Sequence, residues 1–214
     1  MSDLEAIAEA VRGELAEKNR LREYGLQAQR DVIRAAANAI RAGHRGDYER
    51  AHQALAAAGS VLAAAHAALA PHPDLRYAGW LQDAEKEYAE AATTLAILAG
   101  APIPSAGDLQ VGVVPYVNGL GETVGELRRA VLDLLRRGEV GRAEALLETM
   151  DAIYGVLVTM DFPDTLTGGL RRTTDGVRAI LERTRGDVTL AIRQALLEAK
   201  LDAVLDGRTP PIGG

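Results

Sequence analysis

Around Tyr116–Arg129 apolar residues recur with a strict three- and four-residue spacing: Val113, Val117, Leu120, Val124, Leu127, Val131 and Leu134. That period predicts a helix with one buried stripe, running to about Arg137 and closed by Gly138. The segment also holds Gly119, Gly121 and Gly125, and each glycine costs a helix interior roughly 1 kcal/mol relative to alanine. A helix bears that cost where another backbone comes close or where a site needs room. Gly119 is placed for packing, whereas Gly121 and Gly125 stand beside Glu122 and Glu126, an acidic pair one turn apart on the face opposite the stripe.

The rest of the chain reads the same way. A first helix is predicted from about Asp3 to Ala42, with Leu26, Val32, Ile33, Ala36, Ala37 and Ile40 inward in its second half. A turn at His44-Arg45-Gly46 precedes Asp47, an N-cap for a second helix reaching Ala70, where Pro71-His72-Pro73 ends it. The third runs from about Asp74 to Leu98, and Ala99–Gly112 is a Pro- and Gly-rich loop. After the fourth helix come a fifth, Glu139 to Met160, and a sixth, Thr165 to Thr184. Gly186 is expected to stop the sixth and Asp187 to cap a seventh reaching Leu205. No segment alternates with period two, so the fold class is all-α: a seven-helix antiparallel bundle. Residues 1–206 form one domain, and 207–214 a flexible tail.

Composition narrows the chemistry. In 214 residues the chain is 48% hydrophobic but only 4% aromatic, and alanine fills the gap, which suits closely packed helices. The absence of cysteine removes disulfides and thiolate metal sites and fits a reducing interior. The acidic N-terminus lacks a secretory pattern, and no apolar run approaches the ~20 residues of a bilayer span. A soluble, cytoplasmic protein with no membrane partner is expected. A net charge of −6 disfavours a simple polyanion binder, although the distribution of charge matters more than its sum. Lys18, Lys86 and Lys200 are the only lysines, so nearly every cation is a planar, bidentate guanidinium. Arg30, Arg34, Arg41 and Arg45, with Asn38 between, share one side of the first helix. The row reads either as a solvated face pairing with neighbouring acids or as a stripe that tracks phosphates.

Familiar catalytic signatures are missing: no P-loop, dinucleotide fingerprint, zinc spacing or Ser/His/Asp arrangement occurs. Glu49-x-x-His52 has di-iron spacing but no second copy, and is discarded. The four histidines all fall between His44 and His72, which argues against histidine acid–base chemistry. Glu87 and Glu90 share a face of the third helix, and in isolation read as a solvated pair.

Taken in order, REYGLQAQRDVIR and IRAGHRG, EYAEA, PYVNGLGETVGEL, RRGEVGRAEALLETMDAIYGVL and TLTGGLRRTTDGVRAILE resemble the translin family, and within it the nuclease-competent branch, translin-associated factor X (TRAX). The resemblance spans roughly Arg22 to Arg185. It implies a seven-helix bundle of the translin type that assembles into a hollow oligomer, typically an octamer, enclosing single-stranded nucleic acid. It also implies magnesium-dependent endoribonuclease activity, because the TRAX carboxylates match Glu87 and Glu90 in Glu-Tyr-x-Glu-Ala, then Glu122 and Glu126. Translin proper lacks the third-helix pair and binds RNA or DNA without strong catalysis. Two positions depart from the TRAX pattern: Glu122 stands where Asp is usual, and Pro115 where relatives often have Asp.

On this reading Glu90 and Glu126 are direct ligands of Mg²⁺, for which Mn²⁺ can substitute, and Glu87 and Glu122 are further ligands or bases. Such an ion takes oxygen ligands at ~2.1 Å and keeps several waters. Arg30, Arg34, Asn38, Arg41, Arg45, Arg128 and Arg129 supply contacts to single-stranded RNA, or to DNA. Two other readings compete: a non-catalytic translin-like single-strand binder, and a helical scaffold without a nucleic-acid role.

Overall fold

The computed structural model describes residues 3–205, and the 207–214 tail lies outside them. Every regular element among the described residues is a helix: α1 (Asp3–His44), α2 (Tyr48–Leu69), α3 (Pro73–Arg76), α4 (Gly79–Leu98), α5 (Ala106–Leu109), α6 (Val113–Arg136), α7 (Val140–Leu157), α8 (Asp164–Thr167) and α9 (Leu170–Leu205). The all-α class stands. Six of these helices are long, and α3, α5 and α8 are single turns of four residues.

Two boundaries differ from expectation. The third predicted helix is split, because Ala78 adopts an extended conformation between α3 and α4. The predicted sixth and seventh helices are one continuous α9, and the break falls earlier, at Gly168 and Gly169, where φ is +60° and +83°. Those angles are left-handed, and only glycine adopts them without strain. Gly186 stays helical. Its cost of about 1 kcal/mol is met by neighbours on either side, since Thr184 and Val188 are buried.

The described chain divides into two compact units. The first runs to Thr123 and includes Thr165–Gly168; the second comprises Val124–Asp164 and the chain from Gly169 onward. In the first, α1 and α2 pack antiparallel. Ala39 and Ala42 meet Ala51 next to the connecting turn, while Ala28 and Val32 join Ala58, Leu62, Ala65 and Leu69 further along. Leu81 and Ala84 of α4 complete that cluster. So many alanines let helix axes approach closely, which accounts for the low aromatic content.

In the second unit the stripe residues Val124, Leu127, Val131 and Leu134 of α6 are buried, as are Met150 and Ile153 of α7 and Val177 and Leu181 of α9. Arg185 of α9 pairs with Asp151 of α7 at 2.8 Å. Among the described residues, no helix is long and apolar enough to cross a membrane.

Candidate metal centre and nucleic-acid interface

The site begins with a residue that the sequence does not single out. Glu85, on the inward side of α4, is only 2% exposed. Its Oε1 lies 2.8 Å from both His66 Nε2 and Arg76 Nη1, and its Oε2 accepts the Gly112 N–H at 2.9 Å. Burial raises the Glu85 pKa, but His66, the Gly112 N–H and Arg76 together outweigh that and hold it below its ordinary value. Gly112 immediately precedes α6, so this buried carboxylate fixes where α6 starts. Asn118 adds a second tether, donating from Nδ2 to the carbonyls of Val114 and Thr167 at 3.0 and 2.9 Å.

From that anchor α6 crosses α4 in close contact. A Cβ placed on Gly119 would lie 2.6 Å from the Lys86 carbonyl oxygen and 3.1 Å from the Glu90 nitrogen, both backbone atoms. Glycine is therefore required for the crossing. One turn later the buried hydroxyls of Thr93 and Thr123 lie 2.6 Å apart, and Thr123 also donates to the Gly119 carbonyl. These contacts bring Glu122 opposite the outward side of α4.

Carboxylate oxygens of Glu87, Glu90 and Glu122 all lie within 4.8 Å of one another. Lys86 sits among them, with Nζ 2.7 Å from Glu122 Oε1 and 3.6 Å from Glu87 Oε1. Burial is the main reason the Glu87 pKa is raised; Lys86 opposes it, while Glu122 and Asp83 add to it. Burial also works against the Lys86 charge, but Glu122, Glu87 and Asp83 outweigh it and hold the ammonium above its ordinary value. The cluster is acidic beyond what one lysine neutralises, and it favours a further proton or cation.

The donor set suits a hard divalent cation. Oxygens in an octahedral shell of ~2.1 Å radius are separated by about 3 to 4 Å, inside the 4.8 Å limit that holds for the three carboxylate oxygens. The Lys86 ammonium already occupies the position of a cation between two of the carboxylates.

Glu126 belongs to the second unit, where its Oε2 lies 3.9 Å from Arg129 Nη1. Arg129 is exposed. Arg128 is tied down: its Nη1 donates to Thr184 Oγ1 at 2.9 Å and lies 2.9 Å from Asp187 Oδ2. Asp187, expected to cap a helix, instead holds this arginine from the middle of α9.

The α1 row is exposed as a whole. Of its arginines Arg34 pairs with an acid, Asp31, at 2.6 Å, while Arg30 and Arg41 donate to neutral Gln27 and Asn38. Gly121 is buried, and a Cβ on Gly125 would meet nothing within 4 Å. Glu85 and Lys86 are the residues missed by sequence reading. The only signal for them was their place in the same charged run as Glu87.

No family model matches the chain. Over 194 residues it is 30% identical to an uncharacterised protein of Methanocaldococcus jannaschii, covering 90% of this chain and 86% of that protein. Among solved structures it is similar to AfC3PO in complex with duplex RNA, with 33% identity and a TM-score of 0.82 over 88% of this chain and 98% of that one. A second structure, the crystal structure of AfC3PO, matches at 32% identity with the same score and coverage. Apo-NeC3PO, at 19% identity and a TM-score of 0.78 over 89% of this chain and 98% of that one, shares the fold. C3PO is the translin–TRAX complex. The motif order along the chain and these relatives agree: the chain belongs to the translin family.

Proposed function

We propose that the protein is a magnesium-dependent endoribonuclease of the TRAX branch, acting on single-stranded RNA within a cytoplasmic homo-oligomer. The observation that carries this reading is the meeting of Glu87, Glu90 and Glu122 at the α4–α6 crossing. The 33% identity to AfC3PO, which binds duplex RNA in its complex, supports an RNA ligand.

Glu90 and Glu122, with Glu87 when deprotonated, would hold the ion, and Glu126, four residues after Glu122 in α6, is the further candidate ligand. A bound Mg²⁺ supplies charge to the phosphate and lowers the pKa of a bound water. Glu87, whose proton is held more tightly than usual, is suited to exchange a proton with the attacking or leaving oxygen. Lys86 keeps the carboxylates together before the ion arrives. Arg129 and the α1 row would contact the RNA backbone.

Assembly of like copies is supported by the first half of α1, where Leu4, Ile7, Val11 and Leu15 form an apolar ridge at least half exposed. An octamer is the expected size. The alternative, a non-catalytic RNA-binding protein, is favoured by Lys86, because an internal ammonium already neutralises part of the cluster.

Cleavage of single-stranded RNA by purified protein in Mg²⁺ or Mn²⁺ tests the choice. The nuclease reading expects Glu90→Gln and Glu122→Gln to abolish cleavage while RNA binding persists. Intact RNA with the parent protein, and unchanged binding by both variants, would support the alternative.

A further inference from the structure

The end of α1 and the start of α2 enclose a surface hollow of about 320 Å³, lined by Asn38, Arg41, Arg45, Arg50, Gln53 and Ala54. Its shape is set by the connecting turn. Arg45 N donates to Ala42 O and Asp47 N to the same carbonyl, with Gly46 at φ +75°. The chain thus reverses within three residues, and arginines from the last turn of α1, the connection and the first turn of α2 face one space.

This hollow gathers arginines that lack an acidic partner among the described residues. Across a protein of net charge −6, ten arginines are neutralised locally: Arg12, Arg20, Arg22, Arg34, Arg76, Arg128, Arg137, Arg142, Arg178 and Arg185 each lie within 3.1 Å of a carboxylate. Arg41 reaches only the neutral Asn38 Oδ1, and neither Arg45 nor Arg50 pairs with an acid among the described residues. The nearby acids are engaged otherwise. Asp47 accepts the Arg50 backbone N–H, and Glu49 accepts from Gln53 Nε2 at 3.3 Å. Guanidiniums gathered without counter-charge repel one another, and an anion relieves that repulsion.

We infer that this hollow is a binding site for a terminal phosphomonoester, the phosphorylated end of an RNA strand. The inference rests on the reading of the protein as an RNA binder. An internal phosphodiester carries one charge and presents two free oxygens. A terminal phosphate carries close to two charges and three free oxygens at neutral pH, and these match three convergent guanidiniums, each able to donate a paired hydrogen bond. A hollow of this volume is also at the scale of a small-ligand pocket, room that a phosphate merely passing along a groove does not need. The metal cluster involves none of these side chains, so strand-end recognition and cleavage would be separable.

The test compares one short RNA sequence in three forms, with 5′-phosphate, 3′-phosphate and hydroxyl at both ends, at fixed salt and without divalent ions. Inorganic phosphate and adenosine monophosphate serve as competitors. Binding of one phosphorylated form about tenfold tighter than the hydroxyl form is expected, a difference on the scale of added charge-assisted hydrogen bonds. Arg50→Gln, with an unchanged thermal melt, should reduce that preference below about twofold, and Arg50→Lys should restore part of it. Millimolar inorganic phosphate should erase the preference if the phosphoryl group alone is read; adenosine monophosphate acting at far lower concentration would show that the adjoining nucleoside is read too. Equal binding of all three RNAs overturns the strand-end site while leaving RNA binding intact. Failure of every RNA to bind overturns both readings.

Discussion

Gly119 of α6 lies so close to Lys86 of α4 that a Cβ there would stand 2.6 Å from the Lys86 carbonyl oxygen. Backbone cannot yield as a side-chain tip can, so this glycine sets the distance at which Glu122 faces Glu87 and Glu90. Gly119→Ala should destabilise the protein by about 1–3 kcal/mol, the usual cost of overpacking, and weaken Mn²⁺ binding. Gly125→Ala meets nothing within 4 Å and should leave the melt unchanged or raise it by up to about 1 kcal/mol through helix propensity. Thermal melts with Mn²⁺ titration on both variants check the contrast.

Lys86 competes with any metal for Glu122 and Glu87. Replacing it by methionine, which keeps the apolar stem, should tighten Mn²⁺ binding about three- to tenfold, as expected when a partly exposed ammonium no longer competes. The metal-free protein should lose a little stability, because three carboxylates then face one another. Calorimetric titration with Mn²⁺ reads the first effect and denaturant unfolding the second.

The Glu85 carboxyl titrates lower in the folded chain than in the unfolded one. The stabilisation it provides is therefore full above its unfolded value near 4.5 and is lost as pH falls through the lower folded value. Glu85→Gln should cost about 2 kcal/mol at neutral pH and flatten the dependence of stability on pH below about 4.5. Unfolding curves between pH 3 and 7 make the comparison.

Glu87 shifts the other way. Because its proton must leave before the carboxylate can hold an ion, Mn²⁺ affinity should fall on acidification at a pH above the ordinary glutamate value. Glu87→Gln should remove that part of the pH dependence.

Arg128 and its neighbour should separate structure from binding. Arg128→Ala strands Asp187 and Thr184 in the second unit and should cost about 1 kcal/mol of stability. Arg129→Ala should leave stability unchanged and reduce the salt slope of RNA binding by about 0.7, the value for one phosphate contact on a single strand.

Much of this architecture was legible because it rests on local chemistry. The stripe from Leu120 to Leu134 shows its period directly, although Val113, read as its first member, is exposed at the start of α6. Asp47 caps α2 as its position suggests, accepting from the Arg50 N–H. What stayed hidden depends on tertiary neighbours. Gly186 looked like a stop, yet one glycine is too weak a break when Thr184 and Val188 are buried on either side, whereas adjacent Gly168 and Gly169 adopt left-handed angles and do break the chain. Glu85 is indistinguishable in sequence from the solvated glutamates beside it. Only His66, Arg76 and the Gly112 N–H, brought in from other elements, make it a buried anchor. Glu87, Glu90 and Glu122 were nameable in advance, but the lysine lodged between them was not.

The central claim is that Glu87, Glu90 and Glu122 form a divalent-metal centre, and an anomalous difference map from Mn²⁺-soaked crystals tests it most directly. The account predicts a peak at about 2.1–2.3 Å from carboxylate oxygens of at least two of these residues, with Lys86 Nζ displaced from Glu122. A fully soaked crystal with no peak there, and Lys86 still bound to Glu122, would contradict it.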